Sequence, residues 1–155
     1  MLISVLLHEL AHLVAMYLLG CRPTEIKLIP SQVVIVRDVS LKCRNEILIS
    51  FSGPLLNLIL FFIFYFFLPE FAVINLLFGV FNLLPLKGVD GGEIVEVLIS
   101  AFFGEKTAVI ILKILNISVC TLGSIYLLKQ ILSSNINISF IIMLFYFLLS
   151  VIVKL

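Results

Sequence analysis

From Ile47 to Leu68 the chain carries no charged side chain. A helix over that stretch would be about 33 Å long at 1.5 Å per residue, enough to cross the hydrocarbon core of a bilayer. Lipid offers no water to satisfy stray backbone N–H and C=O groups, so an apolar run of this length has to be helical. The rest of the chain has the same character. Its 155 residues are 63% hydrophobic and only 12% charged. A soluble domain of this size leaves too much of its chain exposed to hide that much apolar surface. The expected solvent is therefore partly lipid. A formal net charge of +1 points to no nucleic acid or acidic partner.

Hydropathy divides the chain into about five candidate spans. Leu2 to Leu19 is apolar and stops at Gly20, a plausible C-terminal cap. It lacks a basic leading region and an evident small-x-small cleavage site, so it reads as a retained membrane helix and not a signal peptide. Its abrupt start leaves room for a further helix upstream of Met1, which a longer reading frame would reveal. Ile47–Leu68 is the second span. Residues 71–103 look like a third, broken in the middle by Pro85, Gly88 and Gly91-Gly92. Such a break at membrane depth is tolerated only where the backbone is buried in protein or lines a wet cavity. Ala108–Leu132 and Phe140–Val153 complete the set.

The polar segment 21–46 contains "EIKLI" and "QVVIV", alternating and β-branched runs that suit a short hairpin at the membrane surface. It holds half of the basic residues, which predicts that it is cytoplasmic. The expected fold class is an all-α polytopic membrane protein with a small membrane-associated β-hairpin. Residues 1–155 are read as one domain, with a three-helix core at 2–103 and accessory spans at 108–155. Cys21, Cys43 and Cys120 have no C-x-x-C spacing and read as small apolar or interfacial thiols.

One feature conflicts with a lipid-facing helix. "HELAH", residues 8–12, puts both histidines of the chain and a carboxylate into the first apolar run. Each ionisable group at bilayer depth is costly, and such groups mark functional sites by default. Residues at i and i+4 share a helix face, so His8 and His12 can direct imidazole nitrogens at one zinc ion. Glu9 lies beside them, where it could take a proton from a metal-activated water. A catalytic zinc site needs a third protein ligand and an open position. Asp90 is the leading candidate, at the start of a helix after the break. Spacing alone leaves it either a ligand or an N-cap before "GGEIVEVL". Glu93 and Glu96 read as polar residues on a surface face.

Together with "HELAH", the stretches "SGPLLN" at 52–57 and "FNLLPLKGVDGG" at 81–92 resemble the site-2 protease family of intramembrane zinc metalloproteases. Ser52, Gly53, Pro54 and Asn57 match the family's second motif, and Asn82, Pro85, Asp90 and Gly91 match its third. The resemblance covers about residues 2–103. It implies that His8, His12 and Asp90 hold zinc, that Glu9 is the general base, and that Asn57 and Asn82 bind substrate backbone. It also implies a membrane-tethered protein substrate, a bacterial cell membrane as the location, and a hairpin edge able to receive an extended substrate. Gly88 and Val89 depart from the Pro and Leu of many members. The layout, without PDZ insertions or a nucleotide-sensing domain, is most like the sporulation branch. A metal transporter or a non-catalytic scaffold of the same fold would use the same cluster, but neither calls for a carboxylate next to the first histidine.

Overall fold

The computed structural model describes residues 1–21, 25–29, 32–36 and 43–132. Among these residues five helices and two strands follow one another: α1 (Leu2–Leu18), β1 (Glu25–Ile29), β2 (Gln32–Val36), α2 (Cys43–Phe64), α3 (Pro69–Asn82), α4 (Asp90–Phe103) and α5 (Glu105–Leu132). Helix α2 is the hub, packed against α1, α3 and α4, and α5 packs on α4. Strands β1 and β2 pair antiparallel, Glu25 opposite Val36 and Ile29 opposite Gln32.

The expected fold class needs correction. Of the described helices, only two, Cys43–Phe64 and Glu105–Gln130, are long and apolar enough to cross a membrane. Five spans are not supported. The two strands pair with each other and add no layer to the helical body, which is all-α. The physical reason lies in helix length. Helix α1 has 17 residues and α3 has 14, about 25 and 21 Å at 1.5 Å per residue, against a hydrocarbon core of ~30 Å. Apolar composition counts residues whether or not one helix contains them. The expected broken span 71–103 is two separate helices, α3 and α4, joined by residues 83–89. The expected span Phe140–Val153 lies outside the described residues.

The molecule is apolar outside and polar inside. Phe66 and Phe67 are 85% and 81% exposed, whereas Asn57 and Asn75 are 0% exposed. Water would favour the reverse, because asparagine is ordinarily a surface residue. Together with the two long apolar helices, this pattern describes an integral, multi-pass membrane protein. On α1 the buried residues are Ser4, His8, His12 and Met16. They recur every fourth position, so one narrow stripe faces α2. The helix stops where Gly20 takes φ +70°. The Gly20 N–H then donates to Tyr17 O (3.1 Å) and the Cys21 N–H to Met16 O (2.9 Å), the paired bonds of a Schellman cap.

Helix α3 opens with Pro69 at its first turn, where a missing N–H has no cost. After α3 the chain turns at Gly88, whose φ of +101° suits glycine alone at little strain. Gly91 and Gly92 then let the first turn of α4 lie against that connection. A β-carbon on Gly91 would meet Leu84 O at 2.5 Å, and one on Gly92 would run into the Leu86 carbonyl. From the other side Ala108, Leu112, Asn116 and Cys120 are buried on α5, again at four-residue spacing. Asn116 Oδ1 accepts the Lys87 N–H at 2.9 Å, pinning the connection that leads to Asp90. Asn116→Leu would strand that N–H. The expected cost is about 1–3 kcal/mol, read as a lowered melting temperature in detergent; an unchanged melt would remove Asn116 from the fold's supports.

Candidate metal centre

Three ligand-type side chains meet where α1, α2 and α4 converge. His8 and His12 come from the buried stripe of α1, and Asp90 is the first residue of α4. His8 Nε2 lies 3.2 Å from His12 Nε2. Asp90 Oδ2 is 3.0 Å from His8 Nε2, and Asp90 Oδ1 is 3.4 Å from His12 Nε2. One ligand atom from each of the three falls within 4.8 Å of the others.

The far side of each imidazole decides what the near side can do. The His8 Nδ1–H donates to Asn57 Oδ1 at 2.9 Å. The His12 Nδ1–H donates to the Ile49 carbonyl at 2.8 Å. A carbonyl oxygen can only accept, so each of these Nδ1 atoms carries its ring's proton. In the neutral imidazoles both Nε2 atoms are then bare lone pairs. They face each other and a carboxylate. Asp90 Oδ2 is buried and receives no hydrogen bond, even at 3.0 Å from His8 Nε2. The two statements agree if no proton lies between those atoms. Three convergent acceptors of this kind suit a cation held among them. The residues therefore fit a metal ion, and the oriented Nδ1 bonds are the outer support that metal-binding histidines usually have.

Spacing alone leaves Asp90 between ligand and cap, and the family resemblance makes it a ligand. In the structure the N-cap of α4 is Val89, no side chain caps the helix, and Asp90 turns to the histidines. Glu9 is half-buried next to His8 and within electrostatic range of His8, His12, Asp90 and Glu93. Glu93 is exposed and accepts a hydrogen bond from Ser50 Oγ at 3.0 Å, which links α2 to α4. Asn82 is buried near the end of α3, and its Nδ2 donates to Phe78 O at 3.1 Å. The ring of Phe78 packs edge-on to His8, with centroids 5.0 Å apart. Asn57 is wholly buried, one end of its amide on His8 and the other on Asn75 Oδ1 at 3.0 Å.

Three participants escaped the sequence reading. Ile49 acts through its carbonyl, for which a sequence carries no signal. Gly53 packs against both imidazoles. Its position in a motif was visible but its partner was not. Asn75 had a signal, an amide within an apolar run of helix, but nothing to say what it met.

Comparison with known proteins runs the same way. The sequence model of peptidase family M50 matches residues 67–125, the part that contains Asn75, Asn82 and Asp90. A zinc metalloprotease of Methanocaldococcus jannaschii is 30% identical over 158 residues, which takes in 94% of this chain and 45% of that protein. The chain thus spans about half the length of this curated relative. The solved structure of a site-2 protease from Methanocaldococcus jannaschii superposes with a TM-score of 0.74 at 28% identity, covering 97% of this chain and 73% of that one. Whole-chain likeness in three dimensions, joined to a buried His, His and Asp cluster, makes this chain similar to the proteins of peptidase family M50, the site-2 protease family.

Proposed function

We propose that this chain is an intramembrane zinc metalloprotease that hydrolyses a peptide bond in or near a transmembrane segment of a membrane-tethered protein. The observation that carries the reading is the convergence of three acceptors, His8 Nε2, His12 Nε2 and an Asp90 carboxylate oxygen, with a second carboxylate, Glu9, beside them. Two imidazoles and one carboxylate match the ligand set of catalytic zinc sites, which keep a fourth position open. His8, His12 and Asp90 would hold the ion. Zinc supplies Lewis-acid polarisation of the scissile carbonyl and eases deprotonation of a water.

Glu9 is assigned the general base. It takes a proton from the attacking water and delivers it to the nitrogen of the departing amine. An α-helix ties up its own peptide groups, so the substrate must unwind before its carbonyl can be reached. Asn82, at the end of α3 and beside Phe78, is assigned to the exposed backbone of that unwound segment, since its amide both donates and accepts. Asn57 is not placed with Asn82 in that role: it is wholly buried, and both ends of its amide are taken by His8 and Asn75.

Metal removal tests the reading. The purified protein in detergent should cleave a membrane-tethered test substrate, lose cleavage on prolonged chelation and regain it with stoichiometric zinc. Cleavage that survives complete removal of the metal would overturn the metalloprotease assignment. A protein that binds no zinc at all would overturn the site.

A further inference from the structure

Behind the three ligand-type residues runs a chain of amides that no motif contains in full. Asn75 Nδ2 donates to Phe71 O at 2.8 Å. Asn57 Nδ2 donates to Asn75 Oδ1 at 3.0 Å. The His8 Nδ1–H donates to Asn57 Oδ1 at 2.9 Å. Asn57 and Asn75 are both 0% exposed, so neither can borrow water.

We infer that Asn75 is a positioning residue of the metal centre, fixing through Asn57 which nitrogen of His8 is free to bind the metal. This rests on the metal-centre reading above.

An asparagine amide can be turned over, exchanging donor for acceptor, and its neighbours decide which way it lies. Asn57 alone would not decide. With its Nδ2 toward His8, it would donate to a bare Nδ1, and His8 would carry its proton on Nε2. That proton would point at Asp90 and His12, and His8 could not be a ligand. Asn75 removes the ambiguity. Its own orientation is set by the Phe71 carbonyl, which can only accept, so Nδ2 faces Phe71 and Oδ1 faces Asn57. Asn57 must then present Nδ2 to Asn75 and Oδ1 to His8. The polarity of one backbone carbonyl on α3 is passed through two side chains to a ring on α1. Orienting partners of metal-bound histidines usually contribute 10–100-fold to metal affinity. Here the orienting amide itself needs a second one.

The test is a zinc-affinity series with a competing chromophoric chelator, corrected for the fraction of folded protein. Asn75→Leu keeps the bulk of the side chain and removes the amide, and should weaken zinc binding at least about tenfold. Asn57→Asp, introduced into the Asn75→Leu protein, gives His8 a partner that can only accept. It should recover most of that roughly tenfold loss. Wild-type affinity in Asn75→Leu would overturn the relay and leave the metal centre standing. So would a double variant as weak as Asn75→Leu alone, because Asn75 would then act only by packing. A wild-type protein without zinc affinity would overturn the metal centre and the relay together.

Discussion

Glu9→Gln should abolish cleavage and leave zinc binding intact. Glutamine has nearly the shape of glutamate but cannot take up the proton of the attacking water. Glu9 makes none of the close approaches that join His8, His12 and Asp90, so the ligand set should survive. Loss of a positioned general base costs about 10²–10⁴-fold in rate. The larger figure applies if Glu9 also hands its proton to the leaving amine, since both transfers then fail. The measurement pairs metal content by mass spectrometry with single-turnover cleavage in detergent. Full zinc with no cleavage is the expected result. Equal rates for wild type and Glu9→Gln would remove Glu9 from the mechanism, and loss of zinc would recast it as a support of the site.

The pairing of His8 with His12 was legible because it depends on local geometry alone. A spacing of four fixes the shared face whatever the helix packs against, and the buried stripe of α1 contains both. By spacing the third member was only half legible, and its motif resemblance supplied the assignment. Asp90 follows a break and opens a helix, and an acidic residue there is as good a cap as a ligand. What decides is the direction of one carboxylate, and that is a property of the packed fold. The span count failed for a related reason. Residues 71–103 are apolar for most of their length, but Gly88, Gly91, Gly92 and the Asn116 anchor turn them into a helix, a docked connection and another helix. Asn75 illustrates the remaining limit. Any buried amide in an apolar helix looks like glue between helices. Only the sequence of bonds from Phe71 to His8 separates the proposed support of a ligand from support of a packing contact.

Gly53→Ala should empty the metal centre although it adds a single methyl group. In most helices this exchange is favourable, by up to about 1 kcal/mol. Gly53 lies inside α2, and only its missing side chain allows α1 to pass so close. A β-carbon there would collide with His12 Nε2 itself, and would stand 2.7 Å from His12 Cε1 and 2.8 Å from His8 Cε1. Neither ring can swing away freely. His12 is tethered to the Ile49 carbonyl one helical turn before Gly53, and His8 is tethered to Asn57 one turn after it. Both tethers and the intruding methyl belong to the same helix. Relief therefore requires α1 to move off α2, which breaks the bonds that leave both Nε2 atoms bare. Zinc affinity should fall by at least ~100-fold, the upper end of what support residues contribute, because the ligand atoms themselves are displaced. The gain in helix propensity gives the test its direction. An alanine variant that melts no lower than wild type yet no longer retains zinc would assign the glycine to the metal centre, and one that retains zinc in full would mean that α1 and α2 do not approach as closely as the two imidazoles require.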